Sequence, residues 1–254
     1  MMIFMKKSIS AILTLLLGIT TAAAADVAFI DTGKSDRLIE IDVHALVGGS
    51  YVTNNYTDIF PEISDINSSM RAAGGFGAGA KFNFSRFFAI GTELNLTFNS
   101  TRITFNVTAK DDRHLSDVYL RNSFRYFNIP VYASFNFNLA DCVRWNVDCG
   151  LYYSYGSGGK QNATIYTASI NDLGQLILDG STTKTGYFND QGSFINSYHR
   201  SDIGLHIATG LTFYNRVTVG VRSQAGFKNI AKTYGISKPT CHNFNFFATV
   251  GYIF

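Results

Sequence analysis

The sequence predicts an all-β fold, and three observations lead to this prediction. From Leu38 to the last residue, apolar side chains recur at every second position in eight successive segments, which is the period of a β-strand. The connections between these segments alternate between short and long. No segment after the amino terminus has the long, charge-free apolar run of a spanning helix. Together these features predict an eight-stranded antiparallel transmembrane up-and-down β-barrel with short periplasmic turns and long extracellular loops.

The amino terminus has the pattern of a secretory signal peptide. Lys6 and Lys7 form a basic start, an apolar run follows, and small residues precede the cleavage position after Ala25. The apolar run is too short to span a membrane as a helix. We therefore expect a signal peptide at 1–25, a periplasmic amino-terminal tail at 26–37, and a single outer-membrane barrel domain at 38–254.

The composition excludes some classes of protein. The chain has 21 basic and 18 acidic residues, and removing the two leader lysines leaves a nearly neutral mature protein. Nucleic-acid binding requires clustered Lys and Arg, so no nucleic-acid partner is expected. Hydrophobic residues nevertheless make up 46% of the chain and aromatic residues 15%. Because no helical segment accounts for this surplus, lipid-facing strands are the expected location.

The eight alternating segments are justified one by one. They lie at 38–49, 72–84, 87–105, 125–137, 145–155, 199–214, 216–227 and 243–254. In the first, Ile39, Ile41 and Val43 share one face, whereas Glu40 and Asp42 share the other. The remaining segments repeat this division. Segments of these lengths suffice for tilted strands to cross a bilayer, which takes about 9 to 11 residues.

Two strands contain residues that need a separate explanation. The second segment places Gly75, Gly77 and Gly79 on the inward face, which makes room for long side chains from across the barrel. A phosphate-binding loop is excluded there because the stretch "GGFGAGAKF" matches neither phosphate-loop pattern. Pro130 in the fourth segment lacks a backbone donor, so a bulge is expected at this position.

The connections fall into two classes that alternate along the chain. Short turns are expected around Ser85 and Arg86, from Leu139 to Val143, and at Asn215. Long polar loops are expected at 51–71, 106–116, 156–197 and 228–241, and the alternation within 156–197 predicts a hairpin above the membrane. An even strand number, both termini on the short-turn side and long loops opposite are typical of outer-membrane barrels.

The inward face of the predicted barrel carries the ionisable residues. An eight-stranded barrel encloses a space just wide enough for side chains, so these charges are expected to interlock and fill the lumen. The predicted inward polar network comprises Glu40, Asp42, His44, Lys81, Glu93, Asp148, Arg200, Asp202, His206 and Arg222.

Aromatic residues mark the predicted membrane edge at the short-turn ends of the strands. This predicted girdle comprises Phe84, Phe88, Phe137, Trp145, Phe213 and Phe254.

The three cysteines, Cys142, Cys149 and Cys241, are an odd number in an exported chain. A bridge between the first two remains open, although small apolar filler is the favoured role. The spacing matches no zinc site.

The chain resembles the PorT-like, or outer membrane protein β-barrel domain, family of Bacteroidota. The resemblance covers residues 38 to 254 and is carried by "YFNIPVYASF", "GLHIATGLTF", "VTVGVRSQAGFKNI" and the terminal aromatic residue. It implies insertion by the outer-membrane assembly machinery, which reads a last strand ending in an aromatic. Tyr252 and Phe254 would form that insertion signal.

Function is less constrained than fold, because such barrels serve many roles. We expect a non-enzymatic outer-membrane protein of a Gram-negative bacterium that binds surface ligands or envelope proteins through its extracellular loops and needs no cofactor. A narrow pore and a secretion-system component are the alternatives. The stretch "HRSD" weakly resembles the His-x-Ser pair of lipid A deacylases. However, no lipid-facing Glu is available to orient His199 beside Ser201, so no catalytic residue is assigned.

Overall fold

The computed structural model describes residues 28–60, 62–108, 114–171, 173–188, 198–233 and 238–254. The predicted signal peptide lies outside these residues. Nine strands and one short helix are present in the described part of the chain. They are β1 (Ile39–Asn54), α1 (Tyr56–Ile59), β2 (Ile63–Asn83), β3 (Phe88–Thr108), β4 (His114–Ala140), β5 (Val143–Ile170), β6 (Leu176–Gly186), β7 (Ser201–Phe213), β8 (Val217–Gly226) and β9 (Cys241–Ile253). Over these residues, no helix has the length and apolarity needed to cross a membrane.

All strand pairs are antiparallel, as the alternation predicted. Eight strands close into a ring, in which β1 pairs with β2 and β9, and β4 pairs with β5. The ninth strand, β6, pairs with the outer part of β5 and forms a hairpin outside the ring. The structure corrects the strand lengths, since β4 has 27 residues and β5 has 28. Much of what the sequence suggested as loop is therefore strand.

The two ends of the barrel differ in their connections. At one end, the short-turn end, β2–β3, β4–β5 and β7–β8 are joined by two to four residues. The carboxy terminus and the described amino-terminal segment lie at this end as well. At the opposite end, the long-loop end, lie α1 and the described residues 187–188, 198–200, 227–233 and 238–240, which flank the strands.

The amino-terminal segment 28–38 is held against the short-turn end. The guanidinium of Arg86 donates to Asp31 at 3.0 Å and to Asp36 at 2.8 Å. Arg37 donates to the backbone oxygen of Phe254 at 2.6 Å. This segment, expected as a simple tail, is thereby tied to both a strand turn and the end of the chain.

No bulge occurs at Pro130, contrary to the expectation from sequence. Pro130 stays in register opposite Tyr152 on β5, and the ladder toward β3 keeps the same register on either side of it. That ladder omits the pairs opposite Ile129 and Pro130, and Thr92 Oγ1 donates to the Pro130 carbonyl at 3.0 Å. The missing backbone donor is therefore accommodated by a local gap in the ladder. The two register shifts in β4–β5 instead lie between Arg125 and Tyr126 and between Asn138 and Ala140.

The polarity of each face reverses part-way along the long strands, and β3 shows this most clearly. Toward the short-turn end, its inward residues are polar, including Glu93 and Asn95, whereas its outward residues include the exposed Leu94. Toward the long-loop end, Ile103 and Phe105 are buried inside the barrel. The alternation of inward and outward side chains continues along the whole of β3. The reversal of polarity therefore reflects a change in the medium around the strand, not a change in which residues face inward.

The inward apolar residues at the long-loop end form a core of their own, which we call the apolar cap. Its members come from the strand ends, from α1 and from the connecting segments, and all are buried. They are Val52, Tyr56, Ile103, Phe105, Val118, Leu120, Phe124, Tyr126, Ala163, Tyr187, Phe188, Tyr198, Ile230, Ala231 and Cys241. The cap closes the barrel above its polar interior.

Candidate functional site

The polar interior is organised around Glu93 of β3. The Arg222 guanidinium on β8 donates to its carboxylate, Tyr132 OH donates at 3.0 Å, and Asn95 Nδ2 donates at 2.9 Å. His44 Nε2 lies 3.4 Å from the same carboxylate. A buried charge is tolerated only when it is paired and hydrogen-bonded. These four partners, drawn from β1, β3, β4 and β8, meet that requirement.

A second charged cluster lies beside the first. Lys81 Nζ is 3.5 Å from Asp148 Oδ1 and 3.2 Å from Ser134 Oγ, and Ser134 donates to the same carboxylate. Nearer the short-turn end, Arg144 Nη2 lies 3.4 Å from both carboxylate oxygens of Glu40. Each ion pair joins strands on different sides of the ring, so the charges bridge the lumen.

A third group lies higher in the lumen, below the apolar cap. Asp202 accepts from Tyr152 OH at 3.0 Å and from Asn243 Nδ2 at 2.9 Å. Gln224 Nε2 lies 3.2 Å from Nδ1 of His206, whose ring is fully buried. These contacts leave the polar interior continuous from the short-turn end to the apolar cap.

The space left in this polar interior is small. A cavity of about 60 Å³ lies among the side chains of Glu40, Asp42, Lys81, Glu93 and Asp148. A larger, open depression of about 500 Å³ lies at the short-turn end, between Asp36, Arg37 and the turns. The first volume holds only about four to six waters. The lumen of the described barrel is therefore packed with side chains rather than open.

Arg200 is the predicted inward residue that lies elsewhere. It is exposed just before β7, where Nη1 donates to the Gly156 carbonyl at 2.9 Å and the guanidinium lies over the Phe188 ring. The other nine residues predicted to face inward line the lumen. Tyr132 and Arg144 also belong to the polar interior, although the sequence pattern did not single them out. Tyr132 lies two residues from the buried Ser134 and therefore on the same face of β4. Arg144 directly follows a turn, where the alternation does not show which face a residue occupies.

The predicted aromatic girdle lies at the short-turn end, and part of it is a continuous chain of ring contacts. Trp145 contacts Phe137 with centroids 5.1 Å apart, and Phe137 stacks on Phe29 at 5.0 Å. Phe84 contacts Phe88 at 5.7 Å. Further contacts through Phe82, Phe87 and Phe135 connect these pairs. Phe213 and Phe254 lie at the same end of the barrel, the latter in contact with Tyr252.

The loops that close the apolar cap are held by tyrosine contacts. Tyr187 stacks on both Phe124 and Tyr198, each with centroids 4.4 Å apart. The hydroxyl of Tyr198 lies 3.1 Å from that of Tyr56 in α1. Burial raises the pKa of Tyr56 well above its usual value, because the ionised phenolate would be desolvated. The hydroxyl pair therefore stays neutral at all physiological pH values.

Comparison with known proteins decides the family. The family model for the outer membrane protein beta-barrel domain matches residues 32–232. The chain belongs to this family. Membership, together with the closed antiparallel ring, confirms the predicted localisation in the outer membrane of a Gram-negative bacterium.

Solved barrels resemble this outer membrane protein only distantly. Ail, the attachment invasion locus protein of Yersinia pestis, is 14% identical with a TM-score of 0.36, covering 85% of this chain and 98% of Ail. Neisserial surface protein A is 12% identical with a TM-score of 0.34, covering 84% and 97%. OprG from Pseudomonas aeruginosa is 7% identical with a TM-score of 0.29, covering 90% and 99%. No curated protein matches this outer membrane barrel.

The serine and cysteine side chains considered as reactive groups in the sequence contact other residues of the barrel or remain unbridged. Ser201 accepts a hydrogen bond from Lys228 Nζ at the start of β7. Cys142, Cys149 and Cys241 are all unbridged, and Cys241 lies in the apolar cap, where its Sγ is 3.4 Å from the Tyr56 hydroxyl. Within the described ranges, no group of three or more His, Cys, Asp and Glu side chains could hold a metal ion.

The most exposed part of the barrel is the β5–β6 hairpin. All of β6 up to Lys184 is exposed, and Leu173 near its tip is 83% exposed. Large apolar side chains on the outward face of β4, β5 and β6 are also exposed, including Leu115, Tyr166 and Leu178. In the described residues, β6 is hydrogen-bonded along one edge only. This combination sets the hairpin apart from the closed ring.

Proposed function

We propose that this protein is a non-enzymatic component of the bacterial surface that binds an extracellular or envelope partner through the β5–β6 hairpin. The single observation that carries the proposal is the outer edge of β6, which pairs with no strand among the described residues and extends from the barrel beside exposed leucines. An open strand edge presents a row of backbone donors and acceptors that can pair with another chain. The partner we propose is therefore an extended polypeptide segment.

The orientation follows from the general plan of outer-membrane barrels, in which short turns face the periplasm and long connections face outward. The outward apolar belt ends on β4 near Phe127 and on β5 near Tyr155. From Tyr155 to Ile170, β5 runs roughly 50 Å along the strand direction. The hairpin therefore reaches well beyond the lipid headgroups into the extracellular space.

The interior argues for an anchor rather than a pore. Ion pairs cross the lumen, and the apolar cap closes the long-loop end. The cavity of about 60 Å³ provides no continuous path for a solute. The protein reconstituted in planar bilayers should give no stable stepwise conductance. Such conductance would instead support the alternative of a narrow pore.

The finer family assignment is also part of this proposal. The motifs "YFNIPVYASF" and "GLHIATGLTF" support a PorT-like protein of Bacteroidota, inserted through a signal that includes Tyr252 and Phe254. A role in a secretion complex would follow if the hairpin partner were an envelope subunit. Deleting the final three residues should abolish assembly into the outer membrane, measured by heat-modifiable mobility on gels.

The binding role is tested by removing the outer part of the hairpin, which includes the end of β5 that pairs with His114–Tyr119 of β4. Thr164 lies opposite Thr182, so replacing residues 164–182 with Asn-Gly joins the strands through a two-residue turn. Ala163 of the apolar cap is retained. A photoactivatable residue at Leu178 of the full-length chain should crosslink a protein on intact cells, whereas the same residue at the lipid-facing Leu151 should not.

The truncated barrel should insert normally and lose the associated protein. Absence of any protein adduct at Leu178, with the native barrel folded in the membrane, would contradict the proposal. Equal adducts at Leu178 and Leu151 would also contradict it, because the hairpin would then show no selectivity over the lipid-facing surface.

A further inference from the structure

Five basic side chains from four strands meet on the outer surface, above the apolar belt. Arg102 of β3 lies directly opposite Arg121 of β4, which lies opposite Asn162 of β5, and Asn162 lies opposite Lys184 of β6. Two residues closer to the membrane, Lys160 lies opposite Ser123, and Arg125 follows. We call Arg102, Arg121, Arg125, Lys160 and Lys184 the outer basic band.

The residues that the structure describes do not neutralise the charges of the outer basic band. Among the residues that the structure describes, none of the five side chains forms an ion pair or a hydrogen bond. Like charges directly opposite each other on neighbouring strands are destabilising. Arg102 is repelled by both Arg121 and Arg71. Its Nε is also buried without a hydrogen-bond partner. The described part of the chain therefore provides no counter-ion for the band.

Acidic residues are absent from the described rows of outward residues next to the band on β4, β5 and β6. The next outward row toward the long-loop end contains Tyr119, Thr164 and Thr182. Asp117 follows one row higher, four residues from Arg121 along β4. The backbone positions of Asp117 and Arg121 are therefore about 13 Å apart along the strand, and the described residues contain no ion pair between the two.

The height of the band matches the boundary of the hydrocarbon. Phe98, which is exposed on the apolar belt, lies directly opposite Arg125. Phe127 is the next outward residue of β4 on the membrane side and is also exposed. The basic groups thus begin where the lipid-facing apolar surface ends. Lipid headgroups, including their phosphates, occupy this level.

We propose that the outer basic band binds the phosphate groups of a phosphorylated lipid in the outer leaflet, with Arg102 and Arg121 holding one phosphate between them. Guanidinium groups match phosphate oxygens in bidentate geometry, and such charge-assisted hydrogen bonds are stronger than neutral ones. A phosphate between the two guanidinium groups removes their repulsion. The lipid tails then lie against Phe98 and Phe127. Lys160 and Lys184 lie at the base of the β5–β6 hairpin, so the lipid site adjoins the proposed partner surface, which residues 164–182 of the hairpin carry.

The test measures binding of lipid A to the full-length protein in neutral maltoside micelles. The variant Arg102→Gln/Arg121→Gln should bind phosphorylated lipid A about tenfold more weakly or worse, as expected for the loss of charge-assisted hydrogen bonds. The control Lys34→Gln/Lys238→Gln removes the same charge at exposed positions outside the band, and its affinity should stay within about twofold. Enzymatically dephosphorylated lipid A should bind the native protein as weakly as the arginine variant binds the intact lipid.

Three outcomes would overturn the proposal. Dephosphorylated lipid A could bind the native protein as tightly as the intact lipid, or the control variant could lose as much affinity as the arginine variant. Alternatively, inorganic phosphate alone could bind with the same arginine-dependent affinity as lipid A, which would indicate a site for soluble anions.

Folding of the variant is monitored separately by the mobility of unheated samples on gels. Arg121→Gln alone, at an exposed position, provides a second variant that should show the same direction of change. Without lipid A, the double variant should melt at the same or a higher temperature than the native protein, because it lacks the Arg102–Arg121 repulsion. Lipid A should then raise the melting temperature of the native protein more than that of the variant. An equal rise in both would contradict the proposal.

Discussion

The membrane-embedded half and the outer half of this barrel use the same strands with opposite polarity. On β3, the inward face carries Glu93 and Asn95 in the first half and Ile103 and Phe105 in the second. The outward face changes in the reverse sense, from Leu94 to Arg102. The comparison teaches that the inward-facing residues of a strand that leaves a bilayer can be polar in one half and apolar in the other. The surrounding solvent decides which face is apolar.

The two halves are also stabilised differently. In the membrane-embedded half, hydrocarbon already surrounds the apolar side chains, so the interior is specified by paired charges and hydrogen bonds. In the outer half, water surrounds the barrel, and burial of apolar area in the cap stabilises the fold as in a soluble protein. Changes on equivalent faces of the two halves should therefore have opposite consequences.

The largest expected effect is in the polar interior. Arg222→Met leaves Glu93 buried without its guanidinium partner and should lower the free energy of unfolding by about 3 to 5 kcal/mol. The matched variant Arg222→Met/Glu93→Gln should recover most of this loss. Urea unfolding in lipid vesicles, followed by fluorescence of Trp145, the single tryptophan, measures both. A double variant as unstable as the single one would contradict the pairing.

In the apolar cap, the free energy of unfolding should depend on the volume of the buried side chains rather than on paired charges. Leu120 is fully buried there, and Leu120→Ala should cost about 2 to 5 kcal/mol through lost transfer energy and a residual cavity. Leu151→Ala, on the lipid-facing surface, leaves no internal cavity and should cost less. The same unfolding assay compares them. Equal losses would show that the cap is not packed as a core.

Introducing a charge on the outward face sharpens the comparison between the halves. Leu94→Arg places the charge in the apolar belt and should destabilise the inserted barrel by about 2 to 4 kcal/mol. Thr104→Arg, ten residues farther along the same face of β3, should change stability by less than about 0.5 kcal/mol. Equal costs at the two sites would place the membrane boundary above Thr104 rather than near Phe98.

The smallest effect concerns the amino-terminal segment. The Gly33 backbone N–H and the Arg86 guanidinium lower the pKa of Asp31 below its usual 3.8. A carboxyl whose pKa is lowered in the folded state stabilises that state above its unfolded pKa, and the contribution disappears as the pH falls through the folded value. The segment should therefore loosen below about pH 4.

Loosening of this segment has a spectroscopic signature. Phe29 stacks on Phe137, which contacts Trp145, so the tryptophan emission should shift between pH 6 and pH 3. Asp31→Asn should show the shifted emission already at pH 6. The control Asp179→Asn, on the distant hairpin, should behave as the native protein does. An unchanged emission spectrum in Asp31→Asn at pH 6 would show that the Asp31 carboxylate does not hold the amino-terminal segment in place.

Much of the barrel was predictable from the sequence because its signals are local. The period of two assigned Ile39 and Glu40 to opposite faces, and the short turns near Arg86 and Asn215 were readable from the pattern. Arg200 was misplaced, because the alternation was extended past the start of β7. The alternation within 156–197 predicted a hairpin above the membrane, and β5 and β6 form a hairpin there. The bounds of these two strands were not readable from the sequence, because both faces of a strand above the membrane meet water.

The sequence by itself determined the antiparallel strands, the division between lipid-facing and inward residues in the belt, and the position of the aromatic girdle, because a strand presents successive side chains to opposite sides. Only the tertiary structure decided where the polarity of the two faces reverses and which charges pair across the lumen. It also assembled the outer basic band from four strands that are separated along the chain. These features depend on register and ring closure, and hydrogen bonds between distant segments set both.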